Sequence, residues 1–343
     1  MRAPLARLLN RNVTGIERIG GGRNSQVYDV AVDGAQHFAL KVYFRHPSDK
    51  RDRLATEYGS FSYLWENGFR EIPQPLAADA ELGWAVYQFI EGDKFSAGQA
   101  NEAELLEAVD FLGRLRELSR EPESRKLGTA SEATFSVAAM LKNLNHRLDR
   151  LRAIPEETDS YQALCNFLTV DFAPLMNRVT SWSESRLAEA GMSFQQELNW
   201  EQRTLSPSDF GFHNALRQRD GRVIFLDFEY FGWDDPAKMI ADFLLHPAMN
   251  LTPELKRKFV TGVLGRFSDW PNLSERVESV YPLFGLKWCL IMLNEFLPNE
   301  LLRRQFAASA SADRSAVQKQ QLDKARQMLN RISSECRCFP YRD

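Results

Sequence analysis

The sequence predicts an α+β protein with two lobes, a small N-terminal lobe at residues 1–92 and a larger, mostly helical lobe at 93–343. Short apolar runs separated by glycine-containing turns occupy the first lobe and predict an antiparallel sheet with one main helix. Beyond Ser96, apolar residues recur at helical spacing, which predicts a series of amphipathic helices. A chain of 343 residues can bury a sizeable core without disulfides or metals.

Two predicted strands, at 13–19 and 26–32, flank a glycine-rich turn with the sequence GGGRNS at 20–25. Glycines let the backbone approach phosphate oxygens closely and aim N–H groups at them, although a plain hairpin loop has the same composition. The next predicted strand, 37–43, is apolar on both sides of Lys41. A buried ammonium needs a charge partner, so Lys41 is either paired inside the lobe or placed at a strand edge in solvent.

A helix is predicted at 48–67, where aromatic and apolar residues share one face. Glu57 lies beside that face and is the candidate partner for Lys41; the alternative is an exposed helical glutamate. Pro73 and Pro75 predict a loop, and 82–90 predicts a strand that leads out of the small lobe. Other helices are predicted at 4–11, 100–118, 135–153, 160–190, 238–246, 253–267, 274–298 and 311–333.

The stretch from 205 to 242 contains the side chains with the clearest chemistry. Asp209 and Asn214 stand five residues apart in a loop, and a short apolar run then ends at Asp227. Asp220-Gly221 between them predicts a tight turn. One carboxylate to orient an attacking hydroxyl, with one carboxylate and one amide oxygen to hold Mg²⁺, is the set that phosphoryl transfer needs. A turn-rich loop with locally bonded Asp and Asn is the alternative.

Composition and charge argue against several classes of function. The formal net charge of −3 argues against a general nucleic-acid binder. No apolar run approaches the length of a membrane span, the N-terminus lacks a signal-like apolar core, and the four cysteines show no zinc-site spacing. These features predict a cytoplasmic protein without a membrane or nucleic-acid partner.

The motifs occur in the order found in the aminoglycoside phosphotransferase and choline kinase-like family of small-molecule kinases, which the chain resembles from about residue 12 to 250. The segments that carry the resemblance are GGGRNSQVY at 20–28, FALK at 38–41, Glu57, IEG at 90–92, SDFGFHN at 208–214 and LDFEYFGWDDP at 226–236. Asp242 matches a family aspartate that supports the catalytic region. The one departure is Pro207, where the family usually has His.

The resemblance implies a bilobal, protein-kinase-like fold that uses Mg²⁺ with ATP or GTP as co-substrate. In that fold the catalytic loop spans 204–216 and the metal-binding segment 223–242, with Asp209 as catalytic base and Asn214 and Asp227 as metal ligands. The implied nucleotide-binding residues are Gly21, Gly22, Asn24, Ser25, Lys41, Glu57, Gln88 and Ile90.

The resemblance implies that the helical lobe walls the acceptor site, and the candidate residues are Glu229, Trp233, Asp235, Trp288 and Glu295. Aromatic and acidic groups together suit an amino-bearing alcohol, so an aminoglycoside, a choline-like alcohol and a sugar stay open, with core packing as the alternative for Trp288. We expect a monomer or a homodimer.

A non-catalytic, nucleotide-binding pseudokinase is the rival function, with Pro207 as its only support. A protein Ser/Thr kinase is less favoured. The chain has Asp-Phe-Glu where protein kinases have Asp-Phe-Gly, and it lacks the Ala-Pro-Glu segment that closes an activation loop.

Overall fold

The computed structural model describes residues 1–21, 24–46, 49, 51–155, 158–298 and 313–342. A five-stranded antiparallel sheet forms the N-terminal lobe, in the spatial order first, second, third, fifth, fourth. Its strands are β1 (Val13–Gly21), β2 (Ser25–Val32), β3 (Gln36–Tyr43), β4 (Pro75–Asp79) and β5 (Trp84–Gln88). The predicted α+β architecture with an N-terminal antiparallel sheet is confirmed.

The two faces of this sheet bury different partners. Leu40 and Val86 point towards α1 (Arg2–Leu9) and form a small core with it. Because side chains alternate along a strand, Lys41 points to the opposite face. That face carries α2 (Arg53–Glu66), whose Phe61 belongs to the core shared with the larger lobe.

The loop predicted around Pro73 and Pro75 is partly wrong, because β4 begins at Pro75. Proline cannot donate to a sheet ladder, but it is tolerated as the first residue of an edge strand. In this sheet β4 lies at the edge, next to β5.

The larger lobe is built on helices that match the predicted helical segments closely. They are α3 (Glu102–Leu118), α4 (Val137–Arg152), α5 (Asp159–Asn166), α6 (Ala173–Glu189), α7 (Pro236–Leu245), α8 (Pro253–Gly265), α9 (Leu273–Met292) and α10 (Arg314–Glu335). Helix α9 is buried along most of its length and packs against α4, α6, α7 and α10. A Cβ at Gly285 would lie 2.2 Å from Ile332 Cδ1, so this glycine permits the close approach of α10.

Short strands hold the central stretch in place. They are β6 (Asp93–Lys94), β7 (Thr204–Ser206), β8 (Ala215–Arg217), β9 (Val223–Phe225) and β10 (Gly232–Asp234). Strands β8 and β9 form a hairpin with β6 alongside, and β7 pairs with β10. The tight turn predicted between β8 and β9 is confirmed: Gly221 has a left-handed φ of 90° and donates to the Gln218 carbonyl oxygen at 3.0 Å.

Candidate active site

Asp209 lies in a tight loop between β7 and β8. Ser208 before it has a φ of 68°, a conformation that is uncommon for a residue with a Cβ. Asn214 Nδ2, at the end of a single helical turn, donates to the Asp209 carbonyl oxygen at 3.0 Å. The loop therefore fixes the backbone around Asp209 while its side chain stays 36% exposed.

Two stacked imidazole rings lie against the Asp209 carboxylate. His213 Nε2 is 3.1 Å from Asp209 Oδ1, and His246 Nε2 is 3.6 Å from the same oxygen. The ring centroids of the two histidines are 3.6 Å apart. Burial alone would raise the pKa of Asp209, but the His213 hydrogen bond and the charges of both histidines outweigh it and hold the pKa well below its usual range. Asp209 is therefore ionised at neutral pH.

The ligand atoms of Asp209, His213 and His246 lie within 4.8 Å of one another, as in a metal site. The two rings are stacked with 7° between their planes, and a nitrogen lone pair lies in the plane of its ring, so the lone pairs of the two rings lie in nearly parallel planes. A shared metal ion needs ligands that converge on it. The arrangement suits a hydrogen-bonded carboxylate better than a metal centre.

The β8–β9 hairpin brings Asn214 and Asp227 together. The Leu226 N–H donates to the Asn214 carbonyl oxygen at 2.8 Å, and Asp227 is the next residue. Asp227 has a φ of 67°, a strained conformation that Asp tolerates better than most residues and that is often found at functional sites. Asn214 Oδ1 accepts no hydrogen bond from the part of the chain that the structure describes. Both side chains thus offer oxygen atoms at one edge of the cleft.

Lys41 connects the sheet, α2 and the segment after β9. Its Nζ lies 2.6 Å from Glu57 Oε2 and 2.5 Å from Asp227 Oδ1. Burial would lower the pKa of Lys41, but Asp227 and Glu57 outweigh burial and raise it well above its usual value. Glu57 also accepts from the Tyr43 hydroxyl at 2.6 Å and from the Phe228 N–H at 3.2 Å. The ammonium is therefore held in place between the lobes.

The glycine-rich turn between β1 and β2 is fastened to the segment after Asp227. A Cβ at Gly21 would lie 2.6 Å from the Ser25 carbonyl oxygen, so a larger residue does not fit there. Asn24 Nδ2 donates to Glu229 Oε1 and, at 2.7 Å, to the Tyr230 hydroxyl. The side of the turn that carries Asn24 is therefore held over the cleft.

The positions of three other candidate nucleotide-binding residues give less information about their role. The Gln88 N–H donates to the Gln74 carbonyl oxygen at 2.8 Å, and the Gln88 side chain is exposed. Ile90, just beyond the end of β5, is half-buried. Gly22 lies outside the described residues.

The model of a family described as the phosphotransferase enzyme family matches residues 15–275. The chain belongs to this family. The resemblance inferred from the motifs is therefore confirmed. No curated protein matches the sequence.

Solved structures show which fold this phosphotransferase family member adopts. A spectinomycin phosphotransferase in complex with ADP and spectinomycin is 12% identical, covers 97% of this chain and 97% of its own, and has a TM-score of 0.65. A choline kinase from Streptococcus pneumoniae is 15% identical, covers 96% and 97%, and has a TM-score of 0.57. A choline/ethanolamine kinase family protein from Mesorhizobium loti is 17% identical, covers 94% and 93%, and has a TM-score of 0.56. The predicted kinase-like fold is confirmed. Among the helices of the described residues, none combines the length and the apolar character needed to cross a bilayer.

Two of the residues predicted to bind the acceptor make other contacts in the structure. Trp233 is 2% exposed, and its Nε1 donates to the Ser124 carbonyl oxygen at 3.0 Å. Asp235 caps α7 by accepting from the Ala237 N–H at 2.8 Å and pairs with Arg276 Nη2 at 2.6 Å. In the structure they support β10 and α7, and an acceptor would have to displace these bonds to reach them.

Trp288 is brought to the Asp209 site through His246. The two rings meet edge to face with centroids 4.7 Å apart, and Trp288 is half-buried rather than enclosed. Its Nε1 donates to Asp242 Oδ1 at 2.9 Å. Glu295, in the turn after α9, is 4% exposed.

A buried lysine supports the loop that carries Asp209. Lys238 Nζ lies 2.9 Å from Ser208 Oγ, 2.6 Å from Asp234 Oδ2 and 3.3 Å from Asp242 Oδ2. The family resemblance indicated Asp242 as a supporting residue, whereas Lys238 was not predicted. Its position four residues from both Asp234 and Asp242 was the available signal, since residues at this spacing contact one another on a helix.

Glu229 lies beside the glycine-rich turn and α2, where it contacts Asn24 and Arg53. It is 3% exposed, its Oε1 is 3.7 Å from Arg53 Nε, and its Oε2 is buried without a hydrogen-bond partner among the described residues. Burial, together with the charge of Asp227, raises the pKa of Glu229 from its ordinary 4.5 to about 7.

This pKa predicts a pH-dependent stability. A carboxyl whose pKa is raised by folding makes its full contribution to the free energy of unfolding when the pH is below the pKa that the group has in the unfolded chain. That contribution is lost as the pH rises through the pKa of the folded state, about 7. Glu229→Gln cannot ionise, so we expect it to be more stable than the natural protein at pH 8 by up to about 3 kcal/mol. The two proteins should converge near pH 4.5 in urea unfolding. Glu66→Gln, exposed at the end of α2, is the control, and an equal effect of both substitutions would contradict the assignment.

Proposed function

We propose that the protein is a kinase that transfers the γ-phosphate of ATP or GTP to a hydroxyl of a small polar molecule. The observation that carries the proposal is the position of Lys41, which pairs at once with Glu57 at 2.6 Å and with Asp227 at 2.5 Å. A lysine held in this way binds the non-transferred phosphates beside the metal ligand.

The oxygen donors fit a bound Mg²⁺. Asn214 Oδ1 and the Asp227 carboxylate are hard ligands on one hairpin, which is the type that Mg²⁺ prefers over nitrogen or sulfur. The ion, when bound with the nucleotide, would neutralise charge on the phosphates. Lys41 would then share Asp227 with the ion.

Asp209 orients the acceptor for attack. Its ionised carboxylate accepts a hydrogen bond from the acceptor hydroxyl and takes the proton as the oxygen bonds to the γ-phosphorus. The bond from that phosphorus to the β–γ bridging oxygen breaks at the same time, and the nucleoside diphosphate leaves. His213 and His246 keep Asp209 ionised and fix its direction. The backbone at Gly21 and Asn24–Ser25 covers the phosphates from the sheet side.

The proposed acceptor class rests on the solved structures with a similar fold and on the position of Trp288. Solved relatives include a spectinomycin complex and choline kinases, so amino sugars, choline-like alcohols and sugars are the acceptors to test. An aromatic ring beside the catalytic loop suits a cationic or amino-bearing group. The pseudokinase alternative keeps nucleotide binding but predicts no transfer.

Asp227→Asn tests the metal assignment. Asparagine tolerates the left-handed backbone at this position better than alanine does, so the fold should persist. We expect turnover to fall by about 100-fold or more at limiting Mg²⁺, because the neutral amide holds the ion that neutralises the phosphates less tightly than the carboxylate does. In a Mg²⁺ titration of activity, the Mg²⁺ concentration that gives half-maximal activity should be higher for Asp227→Asn than for the natural protein. An unchanged half-maximal concentration would contradict the assignment.

A further inference from the structure

A buried lysine without a hydrogen-bond partner lies beside the proposed acceptor site. Lys287, on α9, is 5% exposed. Neither a hydrogen bond nor an ion pair joins its Nζ to any of the residues described. The side chain is mostly buried, but Nζ is not among the fully enclosed polar atoms that lack a partner, so it keeps some contact with solvent. An ammonium in this position loses much of its hydration and gains no hydrogen bond from the protein in return. Such a group is suited to bind an anionic ligand that reaches it.

The acidic residues around Lys287 are already engaged. Asp242 accepts from Trp288 at 2.9 Å and pairs with Lys238 at 3.3 Å. Glu132 pairs with Arg147 at 2.7 Å. Lys238 also pairs with Asp234 at 2.6 Å, so the carboxylates of this cluster are as many as its cations. None of the three carboxylates accepts a hydrogen bond from Lys287, so its ammonium has charged neighbours but no hydrogen-bond acceptor among them.

The electrostatics agree with this geometry. Burial and the nearby charge of Lys238 lower the pKa of Lys287 to about 8, while Asp242 and Glu132 act in the opposite direction. Burial would raise the pKa of Glu132, but Arg147 lowers it to about 2, so that carboxylate stays ionised and paired. An anion placed at Lys287 would restore its full charge.

Lys287 is near the reacting groups. Its chain neighbour Trp288 meets His246, which contacts Asp209. Glu132, another neighbour of Lys287, directly follows Ser131 in the chain. The Ser131 carbonyl oxygen accepts a hydrogen bond from the hydroxyl of Ser208, the residue before Asp209. A small molecule with its hydroxyl at Asp209 would reach this region with its far end.

We propose that the acceptor carries an anionic oxygen group, a carboxylate or a phosphate, and that Lys287 binds this group while the hydroxyl lies at Asp209. This inference rests on the proposed kinase function and narrows its substrate class. Lys287 would repel an acceptor that carries only positive charge, so the proposal disfavours choline as the acceptor. An acceptor with both an amino and an acidic group would satisfy both Trp288 and Lys287.

Matched acceptors test the proposal through kinetics. Glucuronate and glucose 6-phosphate are each compared with glucose, and homoserine with its amide, so that each pair differs in the anionic group. The two acids also separate the carboxylate from the phosphate source. We expect the anionic members to be preferred, and Lys287→Met to raise their KM by about 10- to 100-fold, the cost of a charged hydrogen bond. The neutral members should change by no more than about twofold.

Lys256→Met is the matched control. Lys256 is also buried, at 8% exposure, and burial lowers its pKa to about 8 as well, but its neighbours are Arg331, Glu335 and the Tyr341 ring. It should not alter the preference for anionic acceptors. If Lys287→Met acts equally on anionic and neutral acceptors, or if cationic or neutral acceptors are preferred by the natural protein, the proposal is overturned.

Binding without turnover separates this proposal from the proposed function. In the Asp209→Asn protein, glucuronate or glucose 6-phosphate should raise the melting temperature more than glucose does, and adding Lys287→Met should remove the difference. A shift of this kind supports the anion site even if no acceptor is phosphorylated. If neither acid gives a larger shift than glucose, the anion site is wrong, whatever the outcome for the kinase activity.

Discussion

Asp209→Asn is expected to lower kcat for phosphoryl transfer by about 10²- to 10⁴-fold, the usual contribution of a general base. Asparagine has the same shape and still accepts a hydrogen bond from His213, but it cannot take the hydroxyl proton. Because Asp209 lies apart from the Lys41 pair, nucleotide affinity should be unchanged. Turnover and nucleotide binding are measured on the same preparation.

Asp220→Asn is the control for removal of a loop carboxylate. Asp220 lies on the β8–β9 turn with a side chain that is 52% exposed and pairs with Arg222. We expect it to keep natural turnover. If Asp209→Asn retained more than about a tenth of the natural kcat, Asp209 would not be the base, and the role would have to pass to another group.

Lys41→Met should reduce both stability and activity strongly. The substitution leaves Glu57, whose side chain is 2% exposed, without its cation. Breaking a buried pair by removing one partner typically costs about 3 to 5 kcal/mol. Nucleotide phosphates would lose their lysine as well, so we expect kcat/KM for the nucleotide to fall by about 100-fold or more. Urea unfolding and steady-state kinetics measure the two effects.

A double variant separates the structural role of Lys41 from its chemical role. Adding Glu57→Gln to Lys41→Met removes the uncompensated charge yet keeps an oxygen for the Phe228 N–H. Stability should recover by about 1 kcal/mol or more, whereas activity should not recover. Lys142→Met, exposed on α4, is the control for losing a lysine. Recovery of activity in the double variant would show that Lys41 acts only through stability.

Sequence patterns predicted the parts of this molecule that depend on local chemistry. The glycine-rich turn, the Lys41 strand, the Asp220-Gly221 hairpin and most helices follow from turn residues and apolar periodicity. The order of the motifs supplied the fold and the family. Strand β4 was missed because its proline favours a loop, and only its place at the sheet edge makes it a strand.

Contacts between distant segments were beyond the sequence. His246 reaches Asp209 only because α7 ends beside the loop that carries Asp209. The contact of Asn24 with Glu229 depends on how the two lobes meet. The left-handed backbone of Asp227 is stabilised by the surrounding hairpin and cannot be inferred from an Asp in an apolar run.

Acceptor residues were the hardest to predict, because aromatic and acidic residues serve core packing and ligand binding equally well. Trp233 and Asp235 are engaged with Ser124 and Arg276, whereas Trp288 borders the catalytic loop. Lys287, next to Trp288, lies within an apolar helical run, where periodicity alone does not distinguish a ligand-binding lysine from a surface one.

The most direct test of the account is phosphorus NMR of the purified protein with ATP or GTP, with and without Mg²⁺. The acceptor panel contains aminoglycosides, choline, ethanolamine, monosaccharides, homoserine and the sugar acids. A kinase will produce a phosphomonoester signal that needs both Mg²⁺ and an acceptor and that disappears with Asp209→Asn. Nucleotide binding seen by thermal shift, with no phosphomonoester from any acceptor, would contradict the kinase assignment and favour a nucleotide-binding pseudokinase.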